Sequence, residues 1–180
     1  LAGLVLAGAS LVKGVQGLFP LTFPLLYTIY LKKDKPWLPG LKQTVFLLTG
    51  LLCVYIPLAL HPESSASIQN YFLARYPKTF GGVHNTTGNH FFLLKELWLD
   101  ILPALGLLVL LWVITRAKAD KSRYPASRLL FSLALTGIFP FLITLEQRGF
   151  YLLTALPYLA VALFLPQAAS FQEWFNAYFK

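Results

Sequence analysis

Charge is what this sequence has least of. Asp, Glu, Lys and Arg make up 12% of its 180 residues, about half the roughly 25% of an ordinary soluble domain. With 57% hydrophobic residues gathered in runs as long as a bilayer requires, that deficit excludes a water-soluble domain. Acidic residues are the scarcer sign: 7 Asp and Glu stand against 15 Lys and Arg, for a net charge of +8. In a soluble protein such an excess points to nucleic acid. Here the basic residues sit in short loops between apolar blocks, so membrane topology explains them and no nucleic-acid partner is expected. Cys53 has no second cysteine to pair with, which excludes an internal disulfide, and its apolar surroundings read as a small core position. The phosphate-binding glycine loop, the G-x-S-x-G elbow and the H-E-x-x-H helix are all missing, and with them the commonest soluble-enzyme chemistries. There is no internal repeat and no low-complexity tract. The N-terminal run has neither a basic n-region nor an A-x-A site, so it does not read as a signal peptide. It starts inside an apolar segment at Leu1, which suggests a single transmembrane region over 1–180 that is a fragment of a longer membrane protein.

What is present is a succession of apolar blocks. Leu1 to Val12 reads as the end of a helix and Leu18 to Leu31 as a second block containing Pro20 and Pro24. Leu41 to Leu60, Leu97 to Thr115, Leu129 to Leu145 and Phe150 to Leu165 follow. A span needs about 20 residues, and proline is tolerated where neighbouring helices satisfy the freed carbonyls. The expectation is an all-α polytopic bundle of about six spans. Between them lie a basic loop at Lys32–Pro36, a polar and aromatic stretch over 61–94, a basic loop at Arg116–Arg128 and a short turn at Glu146–Gly149.

Orientation follows from the charges. Lys32, Lys33, Lys35, Lys42, Arg116, Lys118, Lys121, Arg123 and Arg128 fall on one side, against Lys13, Arg75, Lys78, Lys95 and Arg148 on the other. The richer side is expected in the cytoplasm. The 61–94 stretch and the turns at Lys13 and Arg148 then share the outer face, as in a bacterial inner membrane. Two amphipathic stretches suggest interfacial helices. Ile68, Tyr71, Phe72 and Tyr76 follow the candidate caps Ser64 and Ser65 in the outer loop. Phe171, Trp174, Phe175 and Tyr178 form a C-terminal stripe.

Few residues could carry chemistry. Lys13 interrupts an otherwise apolar run, and a charge near hydrocarbon is costly unless it snorkels or is used. Arg148 sits in the shortest turn with Tyr151 close behind. A guanidinium fork and a phenol together suit a phosphate. Glu96 and Asp100 lie one helical turn apart where the fourth block begins, and a favourable helix dipole accounts for them before any acid–base role does. His84 and His90 are six apart with no carboxylate or Cys close in sequence, which is not a recurring metal-ligand spacing. No cofactor is indicated, and a divalent metal stays open.

The run Leu11-Val12-Lys13-Gly14-Val15-Gln16-Gly17-Leu18-Phe19-Pro20-Leu21, continued by Pro24-Leu25-Leu26-Tyr27, resembles a signature of bacterial glycosyltransferase family 39. Val15 stands where the family has proline. These are polytopic GT-C enzymes related to the lipid A aminoarabinose transferase and to protein mannosyltransferases. Arg148-Gly149-Phe150-Tyr151-Leu152-Leu153-Thr154-Ala155-Leu156-Pro157-Tyr158-Leu159-Ala160 is similar to a second motif of that family, with Thr154 in place of its first proline. Between the two, Tyr71-Phe72-Leu73 through His90-Phe91-Phe92-Leu93-Leu94 looks like the family's outer loop. The resemblance implies transfer of a sugar from a polyprenyl-phosphate donor to a lipid, glycan or protein acceptor at the outer face. It assigns Lys13, Arg148 and Tyr151 to the cavity that receives the lipid phosphate, and His84 and His90 to the neighbouring loop. The family's catalytic Asp lies in the first outer loop, upstream of the part that this chain resembles. The competing reading is a membrane transporter or lipid flippase, in which broken helices and polar groups gather near the midplane.

Overall fold

The computed structural model of the chain describes residues 1–31, 37–81, 92–115, 119–143 and 149–179. Among these the secondary structure is entirely helical. The helices are α1 (Ala2–Lys13), α2 (Phe23–Leu31), α3 (Trp37–Leu60), α4 (Pro62–Gly81), α5 (Phe92–Thr115), α6 (Tyr124–Ile143), α7 (Leu156–Phe164) and α8 (Ala168–Tyr178). Short 3-10 segments occupy Gly14–Thr22, Lys121–Arg123, Gly149–Thr154 and Leu165–Gln167.

Three stretches are long and apolar enough to cross a membrane: Trp37–Leu60, Leu94–Ile114 and Lys121–Leu142. The chain is therefore an integral membrane protein by the length and composition of its helices. Its outer surface agrees, since Phe46 is 84% exposed, Trp98 61% and Val109 57%. Faces of that kind have no place in water but match lipid.

Two of the expected spans take another form. The block from Leu18 to Leu31 is a 3-10 segment followed by a short α2, with Pro20 inside the 3-10 stretch. The block from Phe150 to Leu165 divides into the 3-10 segment Gly149–Thr154 and the nine-residue α7. Proline lacks the N–H that would continue a helix through it, and Pro157 accordingly sits at the start of α7. The first block forms α1, which ends at Lys13, in keeping with its reading as the end of a helix.

Other boundaries also move. α4 begins at Pro62, ahead of Ser64 and Ser65, which lie in its first turn. Proline at the first helical position starts a helix without losing a needed donor, so no serine cap is used. The His61 carbonyl accepts from Ser65 N–H at 2.8 Å, and the His61 N–H donates to the Pro57 carbonyl at 3.1 Å. A single bent residue thus joins α3 to α4. α5 starts at Phe92, which places both Glu96 and Asp100 beyond the first turn, where a helix dipole has little effect. Arg128 belongs to α6 rather than to a loop. Cys53, expected in the core, faces outward from α3.

The bundle has two cores. In the first, Leu6, Ala7 and Leu51 are buried with Leu18, Leu21, Val54 and Tyr55 around them. Glycine sets its spacing. A Cβ built on Gly3 would lie 2.8 Å from the Gly50 Cα, and one on Gly40 would lie 2.8 Å from the Leu25 Cα and strike Thr28 Oγ1. These contacts bring α1 and α2 onto α3 at backbone range, the small-residue packing that serves where lipid supplies no hydrophobic drive. The second core contains Ala134, Ile138, Leu152, Ala155 and Leu159, flanked by Leu97 and Ile101 of α5. It is built from alanine and branched side chains of α6, α7 and the 149–155 segment.

Candidate functional site

Contacts fix which helix ends lie together. Gly3 meets Gly50 and Ser10 meets Tyr55, so α1 runs parallel to α3. Gly40 meets Pro24 and Leu25, while the Leu21 carbonyl accepts from Thr44 Oγ1 at 3.3 Å, so α2 runs against α3. Thr22 meets Thr136 and Tyr30 meets Ser132, so α6 runs against α2 and with α3. The ends of α1, α3 and α6 therefore share one face of the bundle with α4 and the 149–155 segment. At the opposite face, the Asp120 N–H donates to the Pro166 carbonyl at 2.8 Å, which sets the start of α8 beside the second basic loop.

Lys13 is the last residue of α1. The next residue, Gly14, has φ 66°, a region that side chains other than glycine's rarely enter. This turn sends the chain back along α1, where Gly17 rests on the backbone of Ala9 and Ser10. The Lys-Gly-x-x-Gly pattern thus has a physical basis: the first glycine makes the turn and the second permits the close approach.

From there the segment reaches α6. The Phe19 ring stands edge-on to that of Tyr158, with centroids 5.8 Å apart. A Cβ built on Gly137 would lie 3.6 Å from the Phe19 ring and 3.9 Å from the Ala155 Cβ. Gly137 is the point where the Lys13–Thr22 stretch and the 149–158 stretch come together. Leu152 and Ala155 are buried there, with Leu97 and Ile101 packed against their cluster.

Tyr151 lies in the 3-10 segment Gly149–Thr154 beside this junction. Arg148, His84 and His90 fall outside the described residues, as do the side chains of Tyr71, Phe72 and Tyr76. Among the described residues no three His, Cys, Asp or Glu side chains are grouped as a metal site would need. The C-terminal stripe is formed on α8: Trp174 stacks near Phe171 and Tyr178, with centroids 6.0 and 5.4 Å away.

Sequence reading missed the hydroxyl pairs between helices. Tyr55 Oη lies 2.8 Å from Ser10 Oγ, which also donates to the Ala7 carbonyl at 2.8 Å. Tyr30 Oη lies 2.9 Å from Ser132 Oγ. A lone hydroxyl in an apolar run has no spacing rule, so its only signal is that it must find a partner in lipid. On the opposite face, hydrogen bonds from the Ser122 hydroxyl and backbone, with Arg123 beside it, hold the Asp120 carboxyl below the usual carboxylate range.

No protein-family model, curated protein or solved structure matches the chain.

Proposed function

We propose that the chain is part of a membrane glycosyltransferase that moves a sugar from a polyprenyl-phosphate donor to a lipid, glycan or protein acceptor. The observation that carries this reading is the junction at Gly137. The two segments that resemble glycosyltransferase family 39 are more than a hundred residues apart in sequence, and they meet there through Phe19, Ala155 and Tyr158. On this reading Lys13, Arg148 and Tyr151 line the cavity for the donor phosphate, and His84 and His90 contact donor or acceptor from the neighbouring loop. Departure of a lipid phosphate builds negative charge on the leaving oxygen, and fixed cations in a water-poor cavity stabilise it. The residue that activates the acceptor belongs to the upstream outer loop of such enzymes.

The same reading takes α1, the 3-10/α2 pair and the 3-10/α7 pair as further crossings, about six in all. The basic loops face the cytoplasm of a bacterial inner membrane, and the Lys13 end faces the periplasm. Charge placement favours it over a transporter. No charged residue lies between Lys42 and Leu60 of α3, between Asp100 and Thr115 of α5, or between Arg128 and Ile143 of α6. A transport site at the midplane calls for polar groups at that depth.

The decisive assay supplies a polyprenyl-phosphate sugar to membranes that contain the full-length protein. Transfer is expected, and Arg148→Ala should lower it by about a hundredfold or more, the scale of losing one stabilising donor. Transfer that survives the substitution unchanged removes Arg148 from the mechanism, and no transfer from any such donor removes the reading.

A further inference from the structure

An open pocket of about 200 Å³ lies at the basic end of the bundle, between α2, α6 and α7. It is on the face opposite Lys13 and independent of the glycosyl-transfer reading. Arg128 lines it, is exposed, and has no ion-pair partner among the described residues. Arg123, five residues earlier in the 3-10 segment, is instead held by Asp120 at 3.2 Å.

The hydroxyls beside Arg128 have a definite hydrogen-bonding capacity. Ser127 Oγ donates to the Ala162 carbonyl at 2.7 Å, so its hydrogen is used and its lone pairs are free. Tyr30 Oη and Ser132 Oγ share one hydrogen bond at 2.9 Å. Two hydroxyls bring two hydrogens and their mutual bond takes one, so the pair has one O–H left to donate. The pocket therefore presents a cation, one O–H donor and one acceptor oxygen. Phe131 and Leu163 complete the wall, and Phe131 is 44% exposed on the outer surface of α6.

We infer that this pocket binds the head group of an anionic phospholipid that carries a free hydroxyl, as a phosphoglycerol head group does. The Arg128 guanidinium takes the phosphodiester as a forked donor, and the spare Tyr30–Ser132 hydrogen goes to a second phosphate oxygen. The glycerol hydroxyl donates to Ser127 Oγ, and an acyl chain descends along Phe131. Basic pockets between helices at a membrane surface suit anionic lipids. A choline head group fits less well, because it has no hydrogen to give Ser127 and brings a second cation to Arg128.

The test counts lipids retained by the full chain in detergent, by native mass spectrometry, during titration with phosphatidylglycerol or phosphatidylcholine. Phosphatidylglycerol should bind about tenfold more tightly, the effect of one charge-assisted contact. Arg128→Gln should remove most of that preference, by weakening phosphatidylglycerol retention more than phosphatidylcholine retention. Arg123→Gln should not alter the preference, and Tyr30→Phe combined with Ser132→Ala, which removes both hydroxyl hydrogens, should reduce it in part. Should Arg128→Gln fail to accumulate, salt gives the same readout: retention of phosphatidylglycerol should fall more than that of phosphatidylcholine as salt rises. Equal retention of the two lipids, or an unchanged preference in Arg128→Gln or in high salt, overturns the inference. Displacement of the lipid by millimolar inorganic phosphate also overturns it, since the pocket would then take a soluble anion.

Discussion

The two cores of the bundle are held together by different means. Around α1 to α3 the helices touch through glycine backbones, and Leu6, Leu51 and Tyr55 pack beside those contacts. Around α5 to α7 the contact is made by Ile138, Leu152 and Leu159. Lipid tails solvate leucine as well as another leucine does, so membrane helices gain by close approach or by shape-matched packing. The first core relies on approach and should tolerate no added atoms. The second relies on filling and should tolerate no removed ones.

Gly40→Val offers the largest contrast. Its Cβ would fall 2.7 Å from the Pro24 carbonyl and 2.8 Å from the Leu25 Cα, and neither backbone atom can rotate away. Overpacking commonly costs about 1–3 kcal/mol and more where the backbone itself must move. We expect at least about 3 kcal/mol, read from the unfolding midpoint of the chain in detergent. Gly137→Ala is the control in the other core. Its nearest neighbours would be 3.6 Å away, an ordinary contact, and alanine favours the helix by about 1 kcal/mol. A stability equal to or slightly above the parent is expected. If both glycine variants behave alike, the distinction between the cores fails.

Leu152→Ala probes the opposite sensitivity. Leu152 is fully buried and sits between α5 and α6 in the cluster beneath the Gly137 junction. Removing its branched end should cost about 2–5 kcal/mol, depending on how far the site collapses. The same substitution at Leu52, about half exposed on α3, should change the midpoint little. A comparable loss at both positions would mean that Leu152 contributes no specific packing.

Much of this was legible in the sequence. Long apolar blocks gave the α3, α5 and α6 helices, because a run without charge has one stable form in lipid. The stripe from Phe171 to Tyr178 gave α8 through its helical period. The broken stretches were harder. Pro20 and Pro24 were visible, but whether a membrane helix bends at proline or stops depends on which neighbours receive the freed carbonyls, and those neighbours are distant in sequence. Cys53 was misread because, in a membrane, a small apolar residue faces lipid as readily as core. Of the candidate site, the Lys13–Gly17 pattern carried a real constraint in Gly14 and Gly17. The meeting of Phe19 with Tyr158 had no local signal, since nothing in either segment specifies the other.

The smallest expected effect concerns the seam between the two cores, where Thr22 Oγ1 lies 3.1 Å from Thr136 Oγ1. Each hydroxyl also donates within its own segment, Thr22 to the Phe19 carbonyl and Thr136 to the Leu133 carbonyl, both at 2.8 Å. Two hydrogens cannot serve three hydrogen bonds, so the bond across the seam forms only when one hydroxyl leaves its own carbonyl. Thr22→Val and Thr136→Val keep the shape and remove the hydroxyls. Interhelical hydrogen bonds in membranes average about 0.6 kcal/mol and reach about 1.7 kcal/mol. A shared pair should lie at the lower end, so a double-mutant cycle in detergent should give a coupling of about 0.5 kcal/mol or less. A coupling above about 1.5 kcal/mol would show that the hydroxyls favour each other over their own carbonyls. The two cores would then be joined by a polar lock as well as by the Phe19–Tyr158 contact.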